Sequence, residues 1–172
     1  EWNGFGVLHT AAARVGGLDI GFVPGANGVG AADMLANMDV LFLLGADEMD
    51  FTHKGAKFTV YIGSHGDNGA HHADVILPAA SYTEKSGTWV NTEGRVQMGN
   101  RAGFPPGEAR EDWAIIRALS DVLGKKLPFD SLSALRSQLY AAYPHFADLD
   151  EIAVGDVAPV AALGQKAGEM SK

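Results

Sequence analysis

Five consecutive apolar residues, Val40–Leu44 (VLFLL), restrict the folds open to this chain more than any other feature. A strand with one wet face alternates apolar and polar positions, whereas a strand apolar at every position belongs in a parallel sheet covered on both sides. Two further short, β-rich runs follow, at residues 58–62 (FTVYI) and 75–77 (VIL). Thirteen residues separate Leu44 from Phe58 and twelve separate Ile62 from Val75. Those lengths are about the minimum for a crossover between parallel neighbours, and far more than a hairpin needs. Pro78 closes the third strand because it cannot donate to a central ladder. The fold class is α/β: a partial doubly wound, mainly parallel sheet whose three buried strands are flanked by helices.

Helices are placed by period. Leu8, Ala11, Ala12 and Val15 recur at helical spacing after a cap at Asn3, and the Gly16-Gly17 pair is expected to end this first helix, near residues 5–15. Residues 21–30, GFVPGANGVG, read as an irregular loop, and Trp89-Val90 and Val96 as irregular strand segments. Ile115, Ile116, Leu119, Val122 and Leu123 trace one helical stripe over residues 112–123, with Glu111 and Asp112 in the favourable first turn. Asp130 or Ser131 caps another helix over 131–142, buried through Leu132, Leu135, Leu139 and Tyr143 and stopped by Pro144. Beyond Leu149 the chain is Ala/Gly-rich without sustained period. One domain over residues 1–148 and an extended tail over 149–172 are therefore expected.

At 172 residues the chain is long enough for a sizeable core and needs no second domain. Its apolar runs fall far short of the roughly 20 residues that cross a bilayer. The start at Glu1, without an initiator Met or a signal-like segment, suggests a fragment or a processed end. A net charge of −8 opposes nucleic acid or anionic lipid as a general partner. The absence of cysteine removes disulfides, thiolate catalysis and any cysteine-ligated zinc or iron–sulfur centre from this segment.

Several polar constellations carry a functional reading beside a plainer one. His65, Asp67, His71 and Asp74, with His72, offer imidazole and carboxylate groups suited to zinc or iron, but their spacing matches no compact ligand signature. Capping and hydrogen bonding between segments is the plainer role. Gly25, Gly28 and Gly30 before Asp33 could form an amide nest for phosphate, yet no strand precedes them, as a dinucleotide site requires. Asp47, Glu48 and Asp50 follow the first strand, where catalytic carboxylates often sit, and equally make a solvated turn. Glu84-Lys85-Ser86 places a hydroxyl beside an amine without fixing their geometry. Arg95 beside Glu93 suits a loop-holding ion pair, and Met34, Met38 and Met49 suit packing.

The segment over 61–97, YIGSHGDNGAHHADVILPAASYTEKSGTWVNTEGRVQ, resembles the late α/β portion of the molybdopterin oxidoreductase superfamily. With LFLLGAD at 41–47, PPGEAREDWAIIRALSDVLG at 105–124 and WNGFGVLHTAAARVGGLDIGFVPG at 2–25, the likeness covers most of residues 2–143. Within the superfamily it is similar to the large iron–sulfur subunits of NADH–quinone oxidoreductases. The resemblance implies a peripheral-arm segment, on the bacterial cytoplasmic or mitochondrial matrix side of an inner membrane. Such a segment holds no cofactor, metal or catalytic residue of its own. The 4Fe–4S and 2Fe–2S clusters belong to an amino-terminal part of the subunit not contained here. That part and other peripheral-arm subunits are the implied partners, with Trp89, Phe104 and the tail among the covering contacts. The superfamily's characteristic positions are Asp74, Pro78, Glu84, Lys85, Asn91, Glu93, Gly94, Arg95 and Gln97. The resemblance implies that they shape loops around a vacated cofactor cleft. Two alternatives compete: a fragment of a cofactor-bearing molybdopterin enzyme such as a formate dehydrogenase, and a freestanding metal-binding protein using the histidine cluster.

Overall fold

A computed structural model describes residues 7–152 together with 158, 161 and 162. Its centre is a parallel three-stranded sheet of β1 (Val40–Leu44), β2 (Phe58–Gly63) and β3 (Val75–Pro78), in the order β1-β2-β3. Val40 pairs with Phe58 and Leu44 with Ile62, while Val60 pairs with Val75 and Ile62 with Leu77. The crossover spacing therefore reports the strand direction correctly.

Register decides which side chains share a face. Leu41, Leu43 and Tyr61 face one layer, where they pack with Leu35 of α2 (Ala31–Ala36), with Phe51 and with Ala70 of α3 (Asn68–His71). Val60 and Ile62 face the other layer, against Leu77, Ala79 and Ile115 of α4 (Asp112–Val122). That second cover stops short of β1. Leu41 and Leu43 are buried, but Val40, Phe42 and Leu44 remain 51, 42 and 52% exposed. The expectation of three strands buried on both faces is thus corrected: β1 is covered on one face, and β3 has no fully buried residue. No element of the described chain lies over the outer half of the sheet, so these side chains forfeit part of the about 1.5–3 kcal/mol that full burial of each contributes.

The antiparallel hairpin of β4 (Gly87–Val90) and β5 (Val96–Gly99) is regular, where the sequence suggested irregular segments. Asn91 accounts for the difference. Its Oδ1 accepts from the amides of Glu93 at 3.0 Å and Arg95 at 2.9 Å, and Gly94 follows with φ 83, which closes the turn at a fixed register. Val90 and Val96 pack with Phe146 beneath Val15, Ile20, Leu139, Tyr143 and Leu149.

The first helix, α1, is Arg14–Asp19, so the expected helix near residues 5–15 is corrected: residues 7–13 are not helical, Leu8 is exposed, and the helix runs through Gly16 and Gly17 rather than ending there. Packing of Val15 and Ile20 on the hairpin outweighs the helix penalty of about 1 kcal/mol per glycine. The turn comes at Gly21, whose φ of 69 suits a residue without Cβ. Asn3 lies outside the described residues. On α4 the expected stripe is only partly used: Ile115 reaches the core, whereas Val122 and Leu123 are 85 and 66% exposed. Its one buried side chain is Arg117, which donates from Nε to Phe129 O at 2.8 Å and pairs with Asp130. That guanidinium holds the Asp130 carboxyl below the usual range. Consequently Ser131, not Asp130, caps α5 (Leu132–Ala142), accepting from Ala134 N at 3.1 Å. The face of α5 expected to be buried is only half covered, and a 3₁₀ turn over Pro144–Ala147 follows. Leu149 packs on the hairpin and Asp150 N donates to Val96 O at 2.8 Å. Apart from 158, 161 and 162, the tail beyond residue 152 lies outside the described residues.

Candidate functional site

Loops after the carboxyl ends of parallel strands are where α/β sheets gather chemistry. Here the end of β1 delivers Asp47 and β2 contributes Tyr61, 1% exposed. Tyr61 OH donates to Asp47 Oδ2 at 2.8 Å and lies 3.1 Å from His65 O, while Asp47 Oδ1 accepts from Gly69 N at 2.8 Å. A Cβ on Gly69 would stand 2.6 Å from Ala46 O and 2.9 Å from the Tyr61 ring, so glycine is what permits helix α3 to close on this clasp. The run FTVYI reads simply as a strand, and nothing in its pattern marks the Tyr61 hydroxyl as the centre of three loops.

Burial pushes the Tyr61 phenol up to about 12 from its ordinary 10.0, assisted by the hydrogen bond and negative charge of Asp47. The folded chain then holds this proton more tightly than the unfolded one, so the associated stability is whole below about pH 10 and lost as pH rises toward about 12. In urea unfolding from pH 8 to 12, Tyr61→Phe should show a shallower alkaline decline than the parent chain. Identical declines would remove Tyr61 as the cause.

The other singled-out residues are placed without converging. Asp50 Oδ1 accepts from Thr52 N at 2.9 Å and from its hydroxyl, a self-closed turn that also lowers the Asp50 pKa. Glu48 is exposed. His65 Nδ1 lies 2.9 Å from Ser64 Oγ, Asp67 is the N-cap residue of α3 without a side-chain bond, and His71 is exposed in its last turn. Asp74 Oδ2 accepts from Thr59 N at 2.7 Å at the opposite end of β2. His72 stacks on Phe51 with ring centroids 4.9 Å apart. Among the described residues, no three His, Asp or Glu side chains are placed to hold a metal ion. Gly28 N donates to Gly25 O in a tight turn, and Gly30 precedes the six-residue α2, with Asp33 in its first turn.

The segment over 78–97 is held by its own side chains. Pro78 ends β3 opposite Gly63 and accepts from Arg110 N at 3.1 Å. Glu84 Oε2 accepts from Ser81 N at 3.0 Å, and Lys85 pairs with Asp112 at the start of α4. Ser86 donates to Gly99 O at 3.0 Å, so the Lys85-Ser86 pair is occupied in two different contacts and does not form a nucleophile with its base. Arg95 pairs with Glu93 at 3.2 Å beyond the Asn91 turn, and Gln97 is exposed on β5. Trp89 lies half-buried over Gly87 and Gly99, while Phe104 is 80% exposed beneath the Arg101 guanidinium.

The profile of the family described as molybdopterin oxidoreductase matches residues 1–122. The chain belongs to the molybdopterin oxidoreductase family. It is 46% identical over 160 residues to the NADH-ubiquinone oxidoreductase 75 kDa subunit of Reclinomonas americana, covering 88% of this chain and 22% of that one. The 78 kDa mitochondrial subunits of the same name from Candida albicans and Neurospora crassa are 50 and 48% identical over 155 residues, each match covering 88% of this chain and 20% of the relative. The chain thus spans about a fifth of the length of the curated relatives it matches.

The family's description raises a pterin cofactor, and the residues present do not make a cradle for one. Asp74 and Lys85 are engaged by Thr59 and Asp112, and Glu84 and Asn91 close their own turns, rather than being aimed into a common cleft. The order β1-β2-β3 also runs in one direction, so the described sheet contains no reversal of the kind that opens a ligand crevice. Among the described residues no helix is long and apolar enough to cross a membrane.

Proposed function

We propose that this chain is a structural, cofactor-free portion of the large peripheral-arm subunit of an NADH–quinone oxidoreductase. The complete complex passes electrons from NADH to quinone and couples this to proton translocation. The observation that carries the reading is 46–50% identity to subunits so named, across 88% of the chain. The iron–sulfur clusters then sit on the part of the subunit that this segment lacks, in keeping with its having no cysteine. The arm faces the bacterial cytoplasm or mitochondrial matrix.

The partners are the rest of the same subunit and its peripheral-arm neighbours. The exposed Val40, Phe42 and Leu44 on β1, with no strand paired to its outer edge among the described residues, support this assignment. Trp89, Phe104 and the tail are further covering contacts. Asp74, Pro78, Glu84, Lys85, Asn91, Glu93, Gly94, Arg95 and Gln97 shape the loops of a relic cleft.

The test is NADH–quinone turnover per correctly assembled complex, read beside cluster spectra and metal content, after His65→Ala, Asp67→Ala, His71→Ala or Asp74→Ala. Expected are unchanged spectra and metal content, with turnover per assembled complex within about twofold of the parent. Any loss should appear as reduced assembly, greatest for Asp74→Ala, which frees the Thr59 amide. Normal assembly with abolished turnover and one metal lost would overturn the scaffold reading.

A further inference from the structure

Leu132, Leu135 and Leu139 lie on one face of α5, yet none is fully buried. With Trp113, Thr88 and Arg136 they line a cavity of about 260 Å³ between α5, the start of α4 and the β4 strand. Its walls are mainly apolar, and every charged group lining it but one is paired. Lys85 pairs with Asp112. Glu111 accepts from Trp113 Nε1 at 2.8 Å and pairs with Arg101 at 3.5 Å. Ser86 Oγ donates to Gly99 O.

Arg136 is the exception. Its Nη2 donates to Ser86 Oγ at 2.7 Å, and among the described residues no carboxylate lies within ion-pairing distance of it. A guanidinium offers five N–H donors, so the single bond to Ser86 leaves others open to solvent and available to a ligand at the cavity. A molecule with one anionic end and an apolar body meets both demands, since a planar carboxylate matches the guanidinium fork and the body lies on the leucines. We propose that this cavity is a binding site for a small carboxylate carrying a short apolar chain, anchored by Arg136. The proposal is independent of the role assigned to the larger subunit.

Sodium hexanoate is the probe and hexanol its uncharged control, titrated into the full chain while methyl resonances of Leu132, Leu135 and Leu139 and the Trp113 indole signal are followed by NMR. Expected is a saturable shift of these four signals by hexanoate, with hexanol binding more weakly. Arg136→Gln should raise the hexanoate half-saturation concentration about tenfold or more and leave hexanol unaffected, because only the charge-assisted contact is lost. Leu135→Trp, which fills the cavity, should abolish both; if that variant fails to fold, Arg136→Gln decides alone. Shifts that do not saturate, equal binding of hexanoate and hexanol, or hexanoate binding undiminished in Arg136→Gln would overturn the proposal. So would loss of the response when the same titration is made on the longer subunit, which would mean that a protein segment fills the cavity.

Discussion

Gly55→Ala is expected to destabilise the folded chain by about 3 kcal/mol, through overpacking against backbone that has nowhere to go. Gly55 sits in the crossover between β1 and β2, and its amide donates to Leu35 O at 2.8 Å, holding that crossover against the end of α2. A Cβ there would stand 2.0 Å from Ala36 O and 3.0 Å from Ala36 C. The obstacle is main chain, not the tip of a flexible side chain, so relief requires separating the crossover from α2. That movement lengthens the Leu35 hydrogen bond and loosens Leu35 from the cluster it shares with Leu41, Leu43 and Tyr61. Gly25→Ala is the control, since its Cβ would meet nothing within 4 Å. Urea unfolding midpoints should separate the two variants widely, and equal midpoints would show that the crossover has room the geometry denies.

The parallel sheet was legible because crossover length is a topological constraint. Thirteen and twelve residues between short apolar runs leave little choice of strand direction, and the pairing Val40 with Phe58 and Val60 with Val75 follows. The same reading misjudged burial, for a reason lodged in VLFLL itself. Five apolar residues report what the strand is suited to meet, not what this length of chain supplies, and α4 covers β2 and β3 but not β1. The half-used stripes of α4 and α5 have the same cause: periodicity marks an apolar face without naming its occupant. The Gly16-Gly17 stop failed because local propensity is worth about 1 kcal/mol per residue and the hairpin against Val15 and Ile20 contributes more.

The site was less legible, since its geometry depends on which loops meet. Asp47, Glu48 and Asp50 are equivalent in the sequence, yet one clasps Tyr61 and Gly69, one is exposed, and one closes its own turn on Thr52. Asp74 and His65 lie nine positions apart along the chain and at opposite ends of β2, the first against Thr59 and the second beside the Tyr61 hydroxyl. Arg136, fifty residues from the Ser86 it contacts, carries no local signal at all. By contrast Asn91, Gly94 and Arg95 are nearly self-explanatory, because an Asx turn is completed within five residues.

Replacing Asp47 separates a structural carboxylate from a chemical one. Asp47→Ala should cost about 3 kcal/mol, because it leaves the Gly69 amide without its acceptor and removes a charged acceptor from the Tyr61 phenol. The phenol still has His65 O at 3.1 Å, so the orphaned amide of buried Gly69 is the larger loss. Asp47→Asn should be milder, about 1 kcal/mol, since its remaining oxygen can accept from Gly69 while the phenol turns toward His65 and accepts from the new amide group. A second distinction lies in the alkaline limb: without the Asp47 charge the Tyr61 proton is held less tightly, so both variants should show a shallower loss of stability above about pH 10. In the oxidoreductase complex proposed above, both should retain turnover per assembled complex, with Asp47→Ala reducing assembly. Were Asp47→Asn to preserve stability and assembly yet abolish turnover, the carboxylate would have to act on a proton or an ion. The clasp would then be a working site.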